Sequence, residues 1–341
     1  MAAKVKVGTF FAEGAVDLAQ LVPPISPGWL PLEHVQRCLD LLAGLDDVQL
    51  VHDLNIDRAL IRDGRVWIGD RCLNELDVYA WFTQVDRSPN SFHVEALTAL
   101  SHNTKVVVNP RSFAIALDKY RAHLALRRAG VRVADMVLLN TKNVEAARNV
   151  LAEWGRAVLK PRRGYFGRGV LLIDDFATLR DVAGFVDTQL AGAGDKTLLL
   201  ERFYEHDRSG WISTTLIAGS LMYGYRKRES RWATFDGRAG KVFDAGGIGG
   251  EVDFCEVPPA LADLARKAQS AVGAEIIGFD MLLQDDGAVI VDENTYPGLY
   301  PDLFQTAGKD LGYELFRMIS DAIEECRERP VRRKGTPTAA A

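Results

Sequence analysis

Residues 278–298, GFDMLLQDDGAVIVDENTYPG, constrain this chain more than any other stretch. They read as two apolar strands, over 277–283 and 288–291, joined at the turn signal Asp285-Asp286-Gly287. Asp280 interrupts the first apolar run, and the second runs straight into Asp292-Glu293-Asn294. Strand side chains repeat every second residue, so Asp292 and Asn294 share one face and Glu293 points to the other. With a three-residue loop, Gln284 faces Ala288 and Asp280 falls opposite Asp292. Two carboxylates set across a ladder repel each other, and a divalent cation between them removes the conflict. Two carboxylates and an amide form a hard, all-oxygen set open to further ligands, which suits magnesium shared with phosphates. Taken singly, each of these acids is equally a solvated strand end beside a turn.

The acid-x-Asn segment closing a strand, followed by Thr295-Tyr296-Pro297-Gly298, resembles the metal-binding end of an ATP-grasp ligase. That family has Glu where Asp292 stands and an apolar residue where Glu293 stands. Asp292 keeps the chemistry with a shorter reach, and Glu293 is a departure.

At 341 residues the chain is long enough for two or three packed units. With 48% hydrophobic and 26% charged residues and a formal net charge of -5, it is expected to be a soluble globular protein with neither nucleic acid nor an anionic membrane as its partner. No apolar run spans a bilayer, and MAAKVKVGTF lacks the apolar core of a signal peptide. Cys38, Cys72, Cys255 and Cys326 show no CxxC or metal-ligand spacing and read as buried or free thiols of a reducing cytoplasm.

Strand patterns over 5–10, 48–51, 76–82 and 106–108 alternate with helical patterns over 32–42 and 92–100, with a hairpin over 59–68 about Asp63-Gly64. This predicts an open, mostly parallel sheet over residues 1–110, without a glycine fingerprint for a dinucleotide. From residue 76 onward the resemblance is to glutathione synthetases and ribosomal-protein glutamate ligases: a strand ending in charged residues (Asp86), a helix, a strand closing in Asn109-Pro110 where the family has Asn-x-Pro, and a helix bearing Lys119. There the lysine reaches the nucleotide phosphates; otherwise Lys119 is a solvated lysine on an amphipathic helix.

Next comes AVLKPRRGYFGRGVLLI, in which Lys160 ends an apolar strand and a loop with Gly164, Gly167 and Gly169 leads into another. A strand–glycine loop–strand is neither a P-loop nor a Rossmann turn; its N–H groups can fold over phosphates as a flap, or it is a plain hairpin with glycines for turn geometry. With Lys160-Pro161 ahead of it, it matches the ATP-grasp pattern, which implies that Lys160 contacts the adenine and α-phosphate. The flap is expected to be mobile without nucleotide, because Arg162, Arg163 and Arg168 repel one another when no anion lies between them.

The resemblance implies further roles. Glu201, at the end of a strand over 197–203, accepts a hydrogen bond from the adenine amino group, and Glu205 or Asp207 holds the ribose. Arg226 meets the γ-phosphate and acyl phosphate, although Lys227 and Arg228 beside it equally suggest a solvated basic cluster. Trp211-Ile212-Ser213 replaces an Asp-x-Arg. In the glycine-rich segment 235–250, Gly246-Gly247 survive and Lys241 stands as a substrate contact. Helices are expected over 258–272 and 312–326, and a disordered basic tail over 327–341.

The implied fold is α/β: an ATP-grasp fold with an N-terminal preATP-grasp open parallel sheet domain over 1–110, a central subdomain with the lysine helix and glycine flap over 111–200, and a C-terminal subdomain with the metal site over 201–326. The implied function is an ADP-forming carboxylate–amine ligase using ATP and magnesium (two ions, with manganese as a substitute). Asp280, Asp292 and Asn294 would be the metal ligands. The partners would be small carboxylates and amines, with a peptide or carrier-protein acceptor left open, as is a homo-oligomer. Two rivals remain: an ATP-binding protein of this fold without ligase activity, and a small-molecule kinase.

Overall fold

The computed structural model describes residues 4–11, 30–82, 91–164, 169–189, 196–206, 209–227 and 252–328. Gly167, Asp207 and Lys241, together with Asp86, Arg168, Arg228, the segment 235–250 and the tail after residue 328, lie outside the described residues.

The chain divides into two compact units. In the first, β1 (Val5–Phe11), α1 (Leu32–Ala43), β2 (Val48–Val51), the small strands β3 (Leu60–Arg62), β4 (Arg65–Ile68) and β5 (Arg71–Cys72), β6 (Val78–Phe82), α2 (Phe92–Ser101) and β7 (Lys105–Val107) follow in order. The strands β2-β1-β6-β7 form a parallel sheet, as the strand–helix alternation predicts. β6 is buried at every position, which is what a strand covered on both faces requires. The β3–β4 hairpin turns at Asp63-Gly64, both with positive φ (53° and 71°), so the expected turn residues supply the twist of a two-residue hairpin.

The second unit begins with α3 (Pro110–Ala116) and α4 (Lys119–Arg128). Asp118 caps α4 by accepting the Arg121 N–H at 3.3 Å. β8 (Met136–Asn140), α5 (Ala147–Trp154), β9 (Ala157–Lys160), β10 (Leu171–Ile173), α6 (Phe176–Gln189) and β11 (Thr197–Arg202) follow. The strands make an antiparallel sheet in the order β10-β9-β11-β8, with α5 and α6 on its apolar face. A second antiparallel sheet, β14-β13-β12-β15-β16, is built from β12 (Trp211–Ile217), β13 (Ser220–Lys227), β14 (Val252–Cys255), β15 (Ile276–Gln284) and β16 (Gly287–Asn294). Between β14 and β15 runs α7 (Pro259–Val272), whose Leu261, Ala265 and Ala268 pack with Leu126 of α4 against Ile212, Phe279, Met281 and Ile290. Helices therefore cover one face of this sheet, and the other face carries Ser213, Lys227 and Asp280. After α8 (Pro301–Thr306), α9 (Leu311–Glu328) packs with α1 on the first unit, although it follows the second in sequence. Among the described residues no helix is long and apolar enough to cross a membrane.

The β15–β16 hairpin corrects the expected register. Its loop has two residues, with Gln284 paired to Gly287 and Leu283 to Ala288, one step out from the three-residue loop. A bulge then restores the pairing: Met281 faces Ile290 but Asp280 faces Asp292, leaving Val291 as the extra residue. Ile290 points to the helix-covered core, and Val289 and Val291 to the other face. Strict alternation would send Asp292 into the helix face; the bulge turns it to the side of Asp280. The Asp280–Asp292 opposition holds, for a different reason than loop length.

Candidate active site

Asp280 lies in the middle of β15, flanked by Phe279 and Met281 on the buried face. Its side chain is 3% exposed. Ser213, its partner across β12, donates to Oδ1 at 2.6 Å, and Lys227 donates to Oδ2 at 3.3 Å. Asp292 is paired with Lys119 from the first turn of α4. Burial acts to raise its carboxyl, but Lys119 and Lys160 beside it outweigh that and hold it below the ordinary 3.8. Asn294 faces Gly278 two residues further on. Gly278 has no room for a side chain: a Cβ there would meet the Thr214 oxygen at 2.7 Å and Pro297 Cβ at 2.9 Å. The Pro297-Gly298 tail thus folds back over β12 and β13, where Thr215 and Tyr223 hydroxyls donate to the Gly298 carbonyl.

Lys160, at the end of β9, donates to Glu201 Oε1 at 2.7 Å and to the Val291 carbonyl at 2.8 Å. Glu201 is 3% exposed. Glu205 is an exposed acid paired with Arg156. Gly164 and Gly169 flank the part of the flap outside the described residues, and Gly169 has a φ of +74°, a conformation that favours glycine.

The expected repulsion between Arg162 and Arg163 is answered by Asp118. Its carboxylate, 1% exposed, lies 2.9 Å from Arg162 Nε and 3.1 Å from Arg163 Nη2. The Lys119 N–H also donates to the Arg162 carbonyl at 3.0 Å. The base of the flap is thereby tied to the start of the lysine helix.

Arg226 and Lys227 point to opposite sides of β13. Tyr225 is buried in register with Ser213, and alternation puts Lys227 on that face with Asp280. Arg226 faces Asp253 in register and lies beside Cys255 in the helix-covered core. The structure therefore brings Lys227, rather than Arg226, to the carboxylates.

Sequence reasoning did not find His123. It stands four residues after Lys119 on the same face of α4. Its Nε2 lies 3.3 Å from Glu293 Oε2 and its Nδ1 lies 4.0 Å from Glu201 Oε2, with every one of these side chains at most 4% exposed. Neither His123 nitrogen nor either Glu293 oxygen has an aligned hydrogen-bond partner among the described residues. Burial pushes the Glu293 carboxyl above its ordinary value, with His123 and Lys119 opposing. Lys119, although desolvated, is held above its ordinary value by Asp292, Glu293 and Glu201. The available signal was that Glu293 departs from an apolar position, since a buried acid needs a partner nearby.

The donor set fits magnesium. Asp280, Asp292 and Asn294 offer only oxygens, and among the described residues no group of three or more His, Cys, Asp or Glu side chains gathers as a metal cage. Ligands beyond this set would come from water and substrate, which is how magnesium is usually held.

Residues 116–319 match the RimK-like ATP-grasp domain. The chain is 28% identical over 201 residues to the tetrahydromethanopterin:alpha-L-glutamate ligase of Methanosarcina acetivorans, a match covering 56% of this chain and 58% of the relative. A D-alanine–D-alanine ligase from Bacillus anthracis superposes with a TM-score of 0.60 at 16% identity, over 95% of this chain and 99% of that one. The ATP-grasp ligase PsnB, in complex with a minimal precursor, Mg and ADP, superposes with a TM-score of 0.58 at 16% identity, over 93% and 98%.

Proposed function

The chain belongs to the RimK-like ATP-grasp family, and from that premise we propose that it is an ADP-forming ligase joining a carboxylate to an amine. The observation that carries the proposal is the opposition of Asp280 and Asp292 across a bulged hairpin, with Asn294 on the same strand and Lys119 and Lys160 converging from two other elements.

Magnesium held by Asp280, Asp292 and Asn294 would supply positive charge to a polyphosphate. Lys119 and Lys160 place two further cations at the end of β16, where phosphate oxygens compete for them with Asp292 and Glu201. The N–H groups at Gly164 and Gly169, with Gly167 between them in sequence, cover the phosphates and keep water out. Glu201 fixes Lys160 and keeps its second oxygen for the adenine amino group. Glu205, an exposed acid beside Arg156, or Asp207 would hold the ribose.

The substrate carboxylate attacks the γ-phosphorus, giving an acyl phosphate and ADP, and the amine then displaces phosphate. Neither step uses a nucleophilic side chain of the protein. The glutamate ligase and the D-alanine–D-alanine ligase among the similar proteins point to an amino acid as one substrate, and PsnB with its precursor points to a peptide as an acceptor. Lys241 would contact the substrate.

An ADP-release screen over pools of amino acids, carboxylic acids, amines and short peptides tests this. ADP release that needs both a carboxylate and an amine is the expected result. A phosphorylated product that persists without amine indicates a kinase, and nucleotide binding without turnover in any pool indicates a binding protein.

A further inference from the structure

Each of the two opposed carboxylates already carries a lysine. Lys119 of α4 is on Asp292 Oδ1, and Lys227 of β13 is 3.3 Å from Asp280 Oδ2. Asp280 is 3% exposed and its other oxygen is taken by the Ser213 hydroxyl, so its charge is balanced by protein alone. Lys227 is held from a second side by the Trp211 ring, 5.9 Å from Nζ to centroid.

Two carboxylates and two ammonium groups sum to zero, and the neighbouring Lys160–Glu201 pair adds no net charge. A divalent cation entering alone would leave two excess positive charges at contact distance, in a site largely shielded from water. A cation arriving with a polyphosphate brings the anions that the lysines can turn to. We propose that Lys119 and Lys227 are counter-cations that keep the carboxylates closed to free divalent metal and swing onto phosphate oxygens when metal and nucleotide arrive together. This rests on the metal assignment made above and extends it to Lys227, which the alternation of β13 singles out from its basic neighbours.

The test is a titration of the full chain with Mn2+ read by electron paramagnetic resonance, with and without ADP, in the wild type, Lys227→Met and Lys227→Arg. Removing one like charge should tighten binding of Mn2+ alone by about tenfold or more. The strengthening of Mn2+ binding by ADP should shrink in proportion, since the coupling is reciprocal. Lys227→Arg, which keeps the charge, should leave free Mn2+ weakly bound. Equal or weaker binding of Mn2+ alone by Lys227→Met overturns the proposal. If that variant does not fold, because Asp280 is left as a buried unpaired charge, Lys119→Met makes the same test at the more exposed Asp292, with the same outcomes. The readout needs no turnover, so a failure of the ligase reading is told apart from a failure here. Wild-type protein that takes up no Mn2+ even with ADP overturns both this proposal and the metal assignment.

Discussion

The side-chain nitrogen of Lys160 lies 2.8 Å from the main-chain oxygen of Val291, the extra residue of the β16 bulge. Val291 has no residue opposite it on β15, so its carbonyl is available to a donor from another element. One irregularity therefore does two things: it turns Asp292 toward Asp280, and it gives the lysine of β9 an acceptor on the strand that bears Asp292 and Asn294. The two sheets of the second unit are fastened to each other where their charged residues meet.

Lys160→Met is expected to weaken nucleotide binding and also to destabilise the fold by about 3–5 kcal/mol, because Glu201 is left buried without its partner. Lys160→Met combined with Glu201→Gln should recover most of that stability without recovering affinity. Thermal melts and ADP titrations separate the two effects. A double variant that binds ADP like the wild type would reduce Lys160 to a structural counter-ion.

Asp292→Asn keeps the shape of the side chain and removes its charge. Turnover should fall by about tenfold to a hundredfold or more. The loss of melting temperature should be smaller than Lys160→Met gives, because Asp292 is only partly buried and Lys119 keeps Glu293 and Glu201 nearby. Steady-state rates across a magnesium series check this. Normal turnover at limiting magnesium would count against Asp292 as a ligand.

Much of this site was legible because strand periodicity and turn chemistry are local. Asp292, the flap glycines and Lys160 sit where runs of apolar residues stop, and Asp280 interrupts one, which a linear reading detects. The bulge was not legible: nothing in Ile290-Val291-Asp292 marks an extra residue, and it matters only once Lys160 arrives from another sheet. Choosing between Arg226 and Lys227 needed the face of β13, which is fixed by the register of Tyr225 with Ser213. His123 was missed because its partners come from β11 and β16, both far away in sequence.

Glu293 gives a pH dependence with a definite sign. Its carboxyl is raised by burial, so the folded state binds that proton more tightly than the unfolded chain, where the ordinary value is 4.5. Its contribution to stability is therefore fully present below pH 4.5 and is lost as pH rises toward the folded value. Glu293→Gln should remove this slope, gaining on the wild type as pH increases. Parallel pH-dependent melting curves for the two proteins would show instead that His123 and Lys119 fully offset the burial.

Asp118 offers the last test, at the base of the flap. Its buried carboxylate is shared by Arg162 and Arg163 while it also caps α4, so one side chain ties the flap to the helix bearing Lys119. Asp118→Asn keeps the cap but removes the negative charge that Arg162 and Arg163 share. Trypsin should then cut after Arg162 and Arg163 faster than in the wild type, because cleavage follows the population of the released segment when opening is fast. Magnesium-ATP should slow that cleavage in both proteins, its phosphates supplying the missing acceptors, and the protection should be proportionally larger in the variant. Mass mapping of the early fragments reads both effects. Cleavage at these two sites that ignores both the substitution and the nucleotide would mean that Asp118 holds only its own helix.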